Sequence, residues 1–466
     1  AEKYETVFFD FPIVSQLPTA SGTASKGLHT FSRLIVAGQF SALVKQPVTT
    51  MHRFFSGLRT RSYDLVKRGK RLPANNQPIP PLNQGPGMDL ATWEEDLDRI
   101  ARDKQSAGTI RFLIDGIEYF PALIDEVTRA EESVELRTFI FDNDDYALKI
   151  AALLKQRSQE IQVKVLMDQI GSKMVTVWAN EPAPSERSLD RPRNMERYLK
   201  DDSEVKARST RSPWLTADHT KTTIVDHKLG FIGGMNIGDH YRYDWHDVMM
   251  EVEGPVIAEL RREFGKAWDR AGPWGDWAIL AHSFKHTPKR EVEGAIPLRT
   301  LYTKTGDSQI YRAQVEAIKR AKKRIFIQTP YFSDDELMVE LVHARMRGVD
   351  VRVILPSEGN HGIMNGANHY VASRLLDYGV RVYAYPGMSH VKAAVYDGWA
   401  CLGSANFDRL SLRSNQEANL ATSDPETVQR LVDRLFLPDF EKSKEITELP
   451  PTGWSTYFSK LIANQF

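Results

Sequence analysis

Residues 390–406 read HVKAAVYDGWACLGSAN. His390 and Lys392 alternate with apolar residues, and Asp397 follows after four more positions, giving H-x-K-x4-D on a strand-like run. Asp397-Gly398 is a turn signal, a second apolar run follows, and Gly403, Ser404 and Asn406 close the stretch. Residues two apart in a strand share a face, so His390 and Lys392 are expected to point into one site. Residues 219–236 read HTKTTIVDHKLGFIGGMN and repeat the pattern. His219, Lys221 and Asp226 keep the spacing, and Gly233, Gly234 and Asn236 keep the ending. One such match is a weak signal, and a lone strand histidine is ordinarily a core residue held by hydrogen bonds. Two copies, each followed by small residues and an asparagine, mark a doubled functional unit.

The repeat extends beyond the motifs. Alternating periodicities predict helices over 90–105, 118–130 and 146–158, strands over 110–114, 133–141 and 163–168, and a turn at Asp115-Gly116. Later, helices are predicted over 308–321 and 335–347, and strands over 324–329 and 349–355. Ala130, Val134, Leu136, Phe141 and Asp144 match Ala321, Ile325, Ile327, Phe332 and Asp335 at one constant offset. The fold class is therefore α/β, with two similar halves, each a mainly parallel or mixed sheet flanked by helices. The boundaries are a basic-aromatic arm and linker over 1–88, a first half over 89–290, a second half over 291–446 and a tail over 447–466.

The arm differs in composition. Residues 26–71 hold ten Lys and Arg against one acid, Asp64, interleaved with aromatic and aliphatic residues. It reads either as an amphipathic arm resting on an anionic membrane surface or as helices packed on the body with a solvated basic side. The whole chain of 466 residues carries 61 basic and 61 acidic residues, so no global charge marks a nucleic-acid binder. The single cysteine, Cys401, rules out an intrachain disulfide and sits in an apolar run as an inert core residue. No run of 18 apolar residues occurs.

Two histidines, two lysines and two asparagines suit a phosphate. Lysine and amide donors bind non-bridging oxygens, and imidazole can attack phosphorus or carry protons near neutral pH. One ring must be neutral while the other is protonated, which needs distinct partners. Asp247 and Glu417 lie at matched distances downstream and could each hold a histidine's far nitrogen. The acids are too dispersed for a metal cage, so the chemistry is read as metal-independent phosphodiester chemistry with no cofactor. The connection before His219, 169–218, is longer than its counterpart, 356–389, and because such loops usually build the substrate pocket, Trp178, Arg187, Arg191, Arg193, Trp214, His361, Asn365, Asn368 and His369 are pocket candidates.

These motifs resemble the phospholipase D superfamily, and the second half is similar to bacterial cardiolipin synthases and their phospholipase D-like relatives. Thr329-Pro330-Tyr331-Phe332, Arg347-Gly348-Val349-Asp350-Val351-Arg352, Gly403-Ser404-Ala405-Asn406-Phe407-Asp408 and Glu417 carry the resemblance, with Gly233-Gly234-Met235-Asn236 and Glu253-Gly254-Pro255 in the first half. It implies two halves related by a pseudo-twofold with the site at their seam, and a ping-pong reaction through a phosphohistidine. It implies His219 as nucleophile and His390 as acid, then base. Lys221, Lys392, Asn236 and Asn406 would bind phosphoryl oxygens. Glu417 would support His219, and Asp247 would support His390. Asp226 and Asp397 would hold the local loop and the lysines. The expected protein is a phospholipid phosphodiesterase or phosphatidyltransferase using water or an alcohol as acceptor. It would attach peripherally to a bacterial membrane, on the periplasmic or secreted side or on the cytoplasmic side. A metal-independent nuclease of the same superfamily and a non-catalytic membrane-binding scaffold are the alternatives.

Overall fold

Asp226 and Asp397 show how doubled sequence becomes doubled structure. Both sit in tight turns at positive φ, 48° and 53°, where aspartate is among the tolerated residues. From there the Asp226 carboxylate accepts the backbone N–H groups of Glu131, Glu132 and Ser133. Asp397 does the same for Lys322, Lys323 and Arg324. Each aspartate thus fixes the start of the neighbouring strand, and neither carboxylate is spent on a lysine. The lysine ammonium groups instead donate to the carbonyls of His219 and His390.

The computed structural model describes residues 42–55, 72–73, 77–172, 191–211, 216–278, 289–304, 306–359 and 362–449. The first half contributes β1 (Ser106–Ile114), β2 (Ser133–Thr138), β3 (Gln162–Met167), β4 (Lys206–Ser209), β5 (Thr222–Val225), β6 (Leu229–Gly233) and β7 (Val248–Glu253). The second contributes β8 (Ile296–Lys304), β9 (Asp307–Ser308), β10 (Arg324–Gln328), β11 (Asp350–Pro356), β12 (Arg381–Tyr385), β13 (Ala393–Tyr396), β14 (Trp399–Gly403), β15 (Glu417–Thr422) and β16 (Lys444–Ile446). Their order is β16-β12-β11-β10-β13-β14-β15-β8-β1-β7-β6-β5-β2-β3-β4. Read outward from the β8–β1 contact, the two halves run in the same order.

The sheet is mixed. Only β2–β3, β3–β4, β10–β11 and β11–β12 pair in parallel among the described strands. The motif hairpins β5–β6 and β13–β14 are antiparallel because tight turns join them. Of the two expected forms, mainly parallel or mixed, the sheet takes the mixed one, with its parallel pairs confined to the outer strands. The halves do not form separate sheets: β1 pairs with β8, with Ser106 opposite Leu298. One apolar layer runs across both halves on one face, with Phe112, Ile232 and Phe264 in the same cluster as Leu298, Phe326 and Leu435. The opposite face carries a separate core for each half.

Several local expectations shift. His219, Lys221, His390 and Lys392 lie on extended chain just before β5 and β13 rather than inside those strands. Asp115-Gly116 opens the helix Asp115–Arg129 instead of forming a free turn. Gly116 is required there, since a Cβ would fall 2.3 Å from the Tyr241 carbonyl oxygen. The constant offset slips by one at the helix caps: Asp144 caps Asp145–Arg157, whereas Asp334, not Asp335, caps Asp335–Met346. The helix Leu90–Ala101 starts at the Asp89 cap and presents Trp93, Leu97 and Ala101 on one side. That stripe enters the core of the second half, with the Trp93 ring 5.0 Å from Trp399. Replacing Trp93 with Ala would cost about 3–5 kcal/mol by the usual large-to-small penalty.

Candidate active site

Each histidine precedes a strand of its own half and meets a carboxylate from the other. His219 Nδ1 lies 3.0 Å from both Glu417 oxygens, and His390 Nδ1 lies 2.7 Å from Asp247 Oδ2. Backbone contacts fix the crossing. His219 N–H donates to the Gln416 carbonyl and His390 N–H to that of His246, the residues just before the two carboxylates. With Nδ1 engaged by an acceptor, each ring is held in the tautomer that leaves its Nε2 lone pair for chemistry.

Small residues make room for the carboxylates, and here the halves differ. A Cβ on Gly234 would stand 2.3 Å from Asp247 Oδ1. The counterpart Ser404 fills that space with a hydroxyl that donates to Glu417 Oε2. Gly233 and Gly403 are needed for close approach, because a Cβ on either would strike the Val248 or Ala418 carbonyl. Asn236 accepts from Ile140 N–H at 3.0 Å and donates to the Tyr241 hydroxyl at 2.7 Å, so much of its amide is engaged by the scaffold. Asn406 is buried at the matching place, its amide group next to Asp408.

Burial shifts several of these groups from their ordinary values. Burial lowers the His219 pKa, with Glu417 opposing and Lys221 assisting, so this ring is neutral near pH 7. Burial lowers Lys392 to about 8 and Lys221 well below its ordinary value. Burial raises Asp247 to about 6, against the pull of Lys392. The two buried lysines share the site with two buried carboxylates, Asp247 and Glu417, whose charges partly offset the cost of burying the ammonium groups.

Aromatic walls surround the rings. Phe139 stands 4.9 Å from His219, while Tyr241 and Trp245 stand 5.5 and 5.2 Å from His390. Tyr241 reaches that position from a π-helical turn, His240–Asp244. Two charged supports were not singled out from the sequence. Arg137 grips Asp218, the residue before His219, with both Nε and Nη2. His246, the residue before Asp247, lies between Asp115 and Asp439, 2.7 Å from each. Burial alone would lower the His246 pKa, but these two hydrogen-bonded carboxylates raise it to about 9. Only its place in WHD, beside Asp247, could have flagged His246.

The loop candidates contribute less. Trp178, Arg187, Trp214 and His361 lie outside the described residues. Arg193 is exposed, and Arg191 lies 4.0 Å from Asp145. Asn368 accepts from Phe332 N–H and donates to the Pro330 carbonyl, which fixes a loop. It lines, with Ser357, Asn365 and His369, a cleft whose walls include none of the paired histidines and lysines. Cys401 is buried, its thiol pushed up to about 12 by burial.

Residues 123–268 and 315–436 match the family described as "Cardiolipin synthase, PLD-like domain". The chain is 32% identical over 360 residues to cardiolipin synthase A of Pseudomonas fluorescens (strain SBW25), covering 73% of this chain and 70% of the relative. It is 31% identical over 357 residues to cardiolipin synthase A of Pseudomonas putida (strain GB-1), covering 72% and 70%. The crystal structure of phosphatidylserine synthase from Haemophilus influenzae Rd KW20 shares the fold at 13% identity, with a TM-score of 0.60 over 79% of this chain and 96% of that one.

Proposed function

The chain belongs to the phospholipase D-like family of cardiolipin synthases, and on that premise we propose how it acts as a phospholipid phosphatidyltransferase. The observation carrying the reading is the crossed pairing of His219 with Glu417 and His390 with Asp247 around two buried lysines. His219, neutral and held at Nδ1, attacks the phosphorus through Nε2. The phosphorus–oxygen bond to the departing alcohol breaks, and His390 gives that alkoxide its proton. His390, now neutral, takes the proton of an incoming hydroxyl. The new oxygen–phosphorus bond forms, the His219–phosphorus bond breaks, and the free enzyme returns. Lys221 and Lys392, with Asn236 and Asn406, stabilise the oxygens where charge concentrates. Asp226 and Asp397 pin the starts of β2 and β10, the strands that pair with the motif hairpins.

The acceptor is an alcohol, such as the glycerol end of phosphatidylglycerol, or water. The neutral overall charge gives no support to a nucleic-acid substrate. No helix among the described residues is long and apolar enough to cross a membrane. Peripheral attachment to a bacterial membrane, aided by the basic arm, fits the phospholipid substrate class. The test is incubation with phosphatidylglycerol in EDTA, with mass spectrometry of the products. Cardiolipin and glycerol support transfer, phosphatidic acid supports hydrolysis, and no turnover of any phospholipid removes the reading.

A further inference from the structure

The helical segment 42–55 is built inside out. Gln46, Thr50 and Arg53 are nearly fully buried against the catalytic body, although they are polar. Gln46 Nε2 donates to the Arg270 carbonyl at 3.1 Å, and Thr49 N–H donates to Asp276 at 2.8 Å. Arg53 donates to the Thr216 hydroxyl, three residues before His219. The other side carries Leu43, Val44, Val48, Met51 and Phe55, each 50% to 67% exposed. Over the uninterrupted turns 47–55, at 100° per residue, Val48, Met51 and Phe55 fall within one sector, opposite the buried Thr50 and Arg53. A helix resting on a water-soluble body normally turns these faces the other way.

The adjoining turn extends the apolar side. Asp276, which anchors Thr49, is flanked by Trp274 and Trp277, exposed to 74% and 65%. Gly275 between them has φ +54°, and a Cβ there would overlap the Lys45 carbonyl, so glycine is what lets helix and turn meet. Lys45 and His52 are exposed beside the apolar sector. Tryptophan and flanking bases are the residues that suit a headgroup boundary.

We infer that the outer face of 42–55, with Trp274 and Trp277, is a docking surface that seats in the headgroup–acyl boundary of an anionic phospholipid bilayer. The inference rests on the phospholipid reading of the active site, since an enzyme of bilayer lipids must lie against its substrate. Charge complementarity favours a bilayer over a second copy of the chain: residues 42–55 carry Lys45, His52 and Arg53 and no acid, so this face matches an anionic surface and not another copy of itself. The Arg53–Thr216 contact ties the docked helix to the chain that delivers His219, so docking and active-site placement are mechanically joined.

The test uses the full chain, the double variants Val48→Asp/Met51→Asp and Trp274→Ala/Trp277→Ala, and two forms of one lipid. Vesicles of phosphatidylglycerol and phosphatidylethanolamine report docking by sedimentation and by turnover. Short-chain phosphatidylglycerol below its critical micelle concentration reports chemistry alone. Both variants are expected to lose about tenfold or more in vesicle binding and vesicle turnover. Their circular dichroism and their turnover of monomeric lipid should stay within about twofold of the parent. Unchanged vesicle binding overturns the inference, as does an equal loss on both lipid forms. Conversion of an oligomer to monomer with vesicle binding intact assigns the face to a second copy and overturns it too. A parent chain that binds vesicles through these residues but turns over no lipid keeps the docking surface and removes the catalytic reading instead.

Discussion

Arg137 and Asp218 form a buried ion pair, Nη2 to Oδ1 at 2.7 Å, where the second half places Gln328 and Ser389. The neutral pair is hydrogen-bonded at 3.0 Å, Gln328 Nε2 to Ser389 Oγ. The repeated backbone therefore carries a charged support behind His219 and an uncharged one behind His390.

Breaking one side of the charged support should be costly. Arg137→Gln leaves the Asp218 carboxylate buried without its cation, so unfolding in urea should show a loss of about 3–5 kcal/mol. The double variant Arg137→Gln/Asp218→Ser copies the second half and should recover most of that loss. A double variant no more stable than the single one would show that the pair acts only through packing.

The histidines should fail differently. His219→Ala should remove both turnover and the covalent phosphoenzyme, with kcat falling about 10⁴-fold or more. His390→Asn should allow phosphoenzyme to accumulate, because the proposed base for the acceptor is then gone. Acid-quenched digests read by mass spectrometry distinguish the two. Phosphoenzyme on His390 in the His219→Ala variant would reverse the assigned roles.

Acid should inactivate below the ordinary histidine range. In the proposed mechanism His219 must be neutral to attack, and burial lowers its pKa from the ordinary 6.5. The acid limb of kcat/KM should therefore lie below pH 6.5, since that parameter reports the free enzyme. Glu417 raises the His219 pKa, so Glu417→Gln should move the limb to lower pH. The same variant should lower kcat by about 10³–10⁴-fold through loss of the held tautomer, with KM little changed.

His246 predicts a stability change on the alkaline side. Its folded pKa of about 9 exceeds the ordinary 6.5, so the folded state binds the proton more tightly than the unfolded state. That stability is complete below about pH 6.5 and disappears as pH rises through about 9, amounting to about 3 kcal/mol at most. His246→Gln should be less stable at pH 6 and should lose this slope, as followed by denaturant unfolding across pH 6 to 10. An unchanged slope would place the alkaline loss on another group.

Much of the architecture was legible because it is local. The spacing of His219, Lys221 and Asp226, and of His390, Lys392 and Asp397, announces two equivalent strand–turn–strand units, and strand–helix alternation announces an α/β fold. Residue types within those units name the phosphate chemistry. Contacts between distant segments lie beyond such patterns. Glu417 meets His219 across 198 positions, and Asp247 meets His390 across 143. The joining of β1 to β8, and the packing of Leu90–Ala101 on the second half, likewise depend on how complete faces fit together. Arg137 and His246 look like ordinary charged residues until folding brings Asp218, Asp115 and Asp439 within hydrogen-bond reach. Periodicity along 42–55 shows an apolar side and a polar side, but only the packed body reveals that the polar side is the one turned inward. Spacing along the chain sets which side chains can share a face, whereas the partner of that face is chosen by the free energy of the whole fold.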